Sequence, residues 1–105
     1  MVYFHSISLE GLVGICVNSN EKASILELLK SLSKDVQGTL KTEDTKKIKG
    51  LKGVKKAWEI RKGNIRIFYT SQGNDIHIIH ACRKQKNKTE KTDLAIVESR
   101  IKKFN

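Results

Sequence analysis

The chain has 105 residues, and its 21 Lys and Arg against 11 Asp and Glu give a formal net charge of +10. That length makes one small domain, residues 1–105, with a single core, and the two cysteines, Cys16 and Cys82, are too few for a disulfide framework and lack metal-ligand spacing, so neither a zinc site nor any other cofactor is expected. The charge is lopsided: residues 1–40 hold three Lys and Arg against four Asp and Glu, whereas residues 41–105 hold eighteen against seven, a surface that attracts polyanions, nucleic acid first among them.

Val2 to Ile7 and Leu12 to Val17 are both short and β-rich, and either can join a sheet. Gly11 to Val17 is too short to span a bilayer, and the N-terminus has no basic signal-peptide region, so a reduced cytoplasmic setting is expected. Ser19-Asn20 offers an N-cap with Glu21 in the first turn, and Ile25, Leu28, Leu29, Leu32 and Val36 recur at helical spacing until Gly38 supplies a stop. A second, weaker helix is predicted from about Thr42 to Lys49, ended by Gly50, with residues 50–53 as a loop.

From Trp58 to Thr70 the pattern becomes that of a β-hairpin turning at Lys62-Gly63-Asn64. Period-two alternation puts Glu59 and Arg61 on one face and Trp58 and Ile60 on the other; in the return strand Ile65, Ile67 and Tyr69 oppose Arg66, Phe68 and Thr70. Gly73-Asn74 punctuates the chain again. A third strand, Asp75 to about Cys82, is apolar on both faces except at His77 and His80, as in a central strand. The basic run from Arg83 through Lys84, Lys86 and Lys88 follows, and Thr89 can cap a last helix whose stripe of Leu94, Val97, Ile101 and Phe104 can dock on the sheet or on a partner.

In their order and spacing, Trp58-Glu59-Ile60-Arg61, Arg66-Ile67-Phe68-Tyr69, His80-Ala81-Cys82-Arg83-Lys84 and Lys88-Thr89 before a basic terminal helix resemble the HigB branch of the RelE/ParE toxin superfamily. The resemblance covers roughly residues 19–104. Two positions depart from the family's usual pattern: Cys82 stands where an aromatic residue is usual, and Glu90 where a proline follows the Lys-Thr pair. The resemblance implies an α+β, RelE-like fold, in which an N-terminal helical hairpin packs on a small antiparallel β-sheet with a C-terminal helix.

It also implies the toxin of a type II toxin–antitoxin system: an endoribonuclease that cuts messenger RNA, generally on the ribosome, and is silenced by a HigA-like helix-turn-helix antitoxin. Metal-independent cleavage uses the ribose 2′-hydroxyl as nucleophile, so the enzyme must take its proton, stabilise a dianionic phosphorane and help the 5′-oxygen leave. Arg61, Arg66 and Arg83 have the planar donors that match phosphate oxygens. Glu59 is the candidate base, or else a cross-strand partner of Arg66. His80 or Lys84 is the candidate acid, although a histidine in an apolar strand can equally be a hydrogen-bonded core residue. Lys62, Lys86 and Lys88 are assigned to RNA backbone. Trp58 and Tyr69 belong to the apolar face. Two other readings share these features: a noncatalytic RNA- or ribosome-binding protein, and a ParE-like toxin directed at gyrase, which needs no catalytic cluster.

Overall fold

The computed structural model describes residues 2–4, 8–47, 57–72, 75–83 and 91–104. Strand β1 (Val2–Phe4) is followed by helices α1 (Leu9–Gly14), α2 (Ser19–Lys34) and α3 (Val36–Thr42), then by strands β2 (Asp44–Lys47), β3 (Trp58–Lys62), β4 (Ile65–Gln72) and β5 (Asp75–Arg83), and by helix α4 (Lys91–Phe104). The five strands form one sheet in the order β1-β5-β4-β3-β2. Of the two N-terminal candidates, it is the first that joins the sheet. It pairs with β5 in parallel, Val2 opposite Ile76, so the sheet is mixed rather than wholly antiparallel.

The long amphipathic helix is α2, and it starts one residue earlier than expected. Asn18 is the cap, its Oδ1 accepting from the Glu21 N–H at 2.9 Å, while Glu21 Oε1 accepts from the Val17 N–H at 2.9 Å. Ile25, Leu28, Leu29 and Leu32 are buried against the sheet. Each contributes roughly 1.5–3 kcal/mol of burial free energy.

Two expectations for the next segment fail together. Gly38 does not stop a helix but lies within α3, because Asp35 ends α2 and at once caps α3 by accepting from the Gly38 N–H at 3.0 Å. Nor does a helix run from Thr42 to Lys49: Asp44 to Lys47 pair with β3 as an edge strand. Its charged residues imitate a solvated helix face, yet charge is also what keeps an edge strand from pairing with other chains. The predicted helical hairpin is thus one long helix broken at Asp35, with a short second arm.

A Cβ at position 38 would meet the Asp35 carboxylate that caps the helix. Asp35→Ala is expected to cost about 1 kcal/mol. Gly38→Ala should gain nothing alone, since it displaces that cap, but should stabilise by about 0.5–1 kcal/mol in the Asp35→Ala background, where only the glycine's backbone entropy remains. Strictly additive urea-unfolding free energies across the four proteins would contradict this.

The hairpin is as expected. Gly63, at φ 60°, and Asn64 form a two-residue turn between the paired Lys62 and Ile65. One sheet face, with Ile60, Ile65, Ile67, Tyr69, Ile76, Ile78 and Ala81, packs under the N-terminal helices, and Trp58 lies against that cluster. The other face carries Phe68 and Ile79, which pack with Val97 and Ile101 of α4. The terminal helix therefore docks on the sheet, and β5 is covered on both faces. The loop at 50–53, the turn at 73–74 and the cap at Thr89 lie outside the described residues.

Candidate active site

The β3–β4 register sets Arg61 directly opposite Arg66 and Glu59 opposite Phe68, all on the α4 face. Two cations facing each other across a strand pair repel. Glu59 offsets that repulsion: its Oε1 lies 3.1 Å from Arg61 Nε and 3.2 Å from Arg66 Nε, with only 3% of the carboxylate side chain exposed. The contact to Arg61 is a hydrogen bond. Arg66 Nε is buried with its N–H aligned on no acceptor, so that pair acts through charge alone.

The two guanidinium groups differ in what holds them. Arg66 Nη1 donates to the Gly63 carbonyl at 2.7 Å and to the Ile65 carbonyl at 3.2 Å, which ties the group to the hairpin turn and leaves its side chain 12% exposed. Arg61 is 24% exposed, and among the described residues its terminal nitrogens make no further hydrogen bond. A fork anchored through Nε with its outer donors turned to solvent can take a phosphate bidentately.

His80 lies on the same face because the strand is irregular there. Phe68 pairs with His80 and Tyr69 with Ile78, so Ile79 is an extra residue, and both Ile79 and His80 meet the side that α4 covers. The imidazole stacks on Phe68, with ring centroids 5.5 Å apart. Glu59, Phe68 and His80 form one row across three strands, so Glu59 and His80 flank Phe68 with backbones two strand spacings apart, ~10 Å. They do not form an acid–base couple in direct contact.

Other expected members are elsewhere. Arg83 and Lys62 belong to the face under the N-terminal helices: Arg83 Nη1 donates to Glu21 Oε1 at the start of α2, and Lys62 Nζ lies 3.0 Å and 3.2 Å from the two Glu43 oxygens. The Arg83 guanidinium, and after it the Val17 N–H, hold the Glu21 carboxyl below its usual range. Arg83 therefore does not share a phosphate with Arg61 and Arg66. Lys84, Lys86 and Lys88 lie outside the described residues. Trp58 stacks on Tyr69 at 6.0 Å within the helix-side core, and burial pushes the Tyr69 phenol up to about 12, which removes it from proton transfer near neutrality.

One residue of this face escaped the sequence reading. Arg100 of α4 donates from Nη1 to the Ile79 carbonyl at 3.0 Å and lies 3.3 Å from His80 Nδ1. Its position three residues after Val97 and next to Ile101, both buried, was the available signal. Among the described residues no group of three or more His, Cys, Asp or Glu is arranged to hold a metal ion, and no helix is long and apolar enough to cross a membrane.

A sequence model of the family described as "Phage derived protein Gp49-like (DUF891)" matches residues 16–102. Among solved structures, the crystal structure of the archaeal RelE-RelB complex from Pyrococcus horikoshii OT3 is similar, with a TM-score of 0.58 at 20% identity over 81% of this chain and 94% of that one. The architecture is thus RelE-like. No curated protein matches.

Proposed function

The chain belongs to the phage-derived Gp49-like family, and on that premise we propose that it is the toxin of a type II toxin–antitoxin pair, a HigB-like endoribonuclease that cuts messenger RNA on the ribosome. The observation that carries the reading is the arginine pair at Arg61 and Arg66, fixed by one nearly buried carboxylate on a sheet face. Electrostatic stabilisation is strongest when the donors are held before charge develops, and an Arg-Glu-Arg arrangement does that for a phosphorane.

In this mechanism the 2′-oxygen passes its proton to a solvent water and attacks the adjacent phosphorus. The P–O5′ bond then breaks, leaving a 2′,3′-cyclic phosphate and a 5′-hydroxyl. Arg61 and Arg66 carry the charge of the phosphorane. Glu59, earlier the candidate base, is given a positioning role here, because its Oε1 sits between the two guanidinium groups. His80 supplies the proton to the leaving oxygen; Lys84 is its rival. Arg83 and Lys62 serve the helix-side architecture, and Lys86 and Lys88 hold RNA backbone.

The partner is a helix-turn-helix antitoxin, HigA-like, carrying an acidic or amphipathic segment that complements a protein of net charge +10. The pair acts in the cytoplasm, and the toxin needs no cofactor. Induction in bacteria is expected to arrest growth and to introduce cuts within translated regions, read by primer extension. Co-expression of an adjacent helix-turn-helix gene product should restore growth. Arrest with intact transcripts would shift the reading to simple ribosome blockade or to gyrase.

A further inference from the structure

We infer that Arg100 is a positioning residue for cleavage, which α4 contributes to set the tautomer and orientation of His80. Contacts from Phe68 and Arg100 fix this imidazole and the strand that carries it. Phe68 stacks against the ring, Arg100 Nη1 approaches Nδ1 at 3.3 Å, and the same nitrogen donates to the Ile79 carbonyl at 3.0 Å, in the stretch where β5 carries its extra residue.

A guanidinium only donates, so the Arg100 contact makes His80 Nδ1 an acceptor and leaves the ring proton on Nε2. That tautomer gives Nε2 an N–H, which the neutral ring can direct at the leaving oxygen as an electrophile rather than as an imidazolium acid. Arg100 also anchors the bulge itself. An extra strand residue re-aims the side chains beside it, and the bond to the Ile79 carbonyl holds the backbone that carries His80 in that aim. Val97 and Ile101, both buried on the same helix, fix the height of Arg100 over the sheet. Arg100 therefore acts through His80 and not on the phosphate.

The inference rests on the ribonuclease reading, and its test keeps the two apart. Single-turnover cleavage of ribosome-bound messenger and RNA affinity would be measured for the wild type, Arg100→Met, Arg100→Lys, His80→Ala and the His80→Ala/Arg100→Met double variant. Nitrogen NMR of the histidine rings would report the His80 tautomer independently of any cleavage. Arg100→Met should slow cleavage by roughly ten- to a hundredfold, the usual cost of losing a partner that orients a functional imidazole, with affinity unchanged and a smaller fraction of the Nε2–H tautomer. Arg100→Lys, which keeps a donor, should recover more activity than Met.

Without His80, Arg100→Met should cost nothing further, because the two residues act as one unit. Equal tautomer populations in wild type and Arg100→Met would overturn the inference, as would a full additional loss in the His80→Ala background. A wild-type protein that leaves messenger intact would instead overturn the ribonuclease reading, and this role with it.

Discussion

Arg61→Ala is expected to lower single-turnover cleavage by roughly a hundredfold or more, the cost typical of losing one preorganised donor to a transition-state oxyanion. Affinity for RNA should fall far less, since one phosphate contact is lost from many. The prediction follows from the asymmetry of the pair. Arg66 spends donors on the Gly63 and Ile65 carbonyls, whereas among the described residues Arg61 is held by Glu59 through Nε. Arg61→Lys should rescue poorly, because a point charge does not reproduce a planar fork. Arg66→Ala should also slow cleavage, but with a loss of thermal stability that Arg61→Ala does not share, since Arg66 ties the hairpin turn to Glu59. Cleavage and affinity falling in equal proportion for Arg61→Ala would make it a docking residue.

Phe68→Ala should have the largest effect on the fold. The ring is fully buried, it is the central residue of the row between Glu59 and His80, and it packs with Ala57, Ile79, Val97 and Ile101 beneath α4. Removing it is expected to cost about 3–5 kcal/mol, a large share of the 5–15 kcal/mol typical of such domains, and to lower Tm by on the order of 20 °C. Phe68→Leu, at about 1.5 kcal/mol, should leave a folded protein whose His80 has lost its stacking ring. That variant should melt only slightly early yet cut slowly. If calorimetry found Phe68→Ala within 1 kcal/mol of wild type, about the loss from a minor packing change, α4 would not share a core with the sheet.

Which parts were legible depends on whether residue spacing determines geometry. The hairpin was, because a two-residue turn at Gly63-Asn64 fixes register and register fixes faces, so Glu59, Arg61 and Arg66 could be grouped from alternation alone. Arg83 could not. Counting by twos from His77 puts it beside Arg66, but the extra residue at Ile79 reverses parity, and Ala81 and Arg83 turn to the helix side. Strand β2 was hidden because its four residues, Asp44 to Lys47, have no apolar period. Nothing in the run from Val2 to Val17 states that Val2–Phe4 pairs with β5, since that contact is made across more than seventy residues of chain. Arg100 was one cation among 21, and only its place beside buried Val97 and Ile101 distinguishes it.

The most direct test of the central claim is the chemistry of the cut ends. A defined messenger on programmed ribosomes would be exposed to the purified protein, the new termini identified, and the mapped site then resynthesised with a 2′-deoxy nucleotide on the 5′ side of the scissile bond. Cleavage by Arg61, Arg66 and His80 through the 2′-hydroxyl predicts 5′-hydroxyl and 2′,3′-cyclic phosphate ends, and no cut at the deoxy site. Ends bearing 5′-phosphate, or a deoxy site cut as readily as the ribose one, would contradict the account.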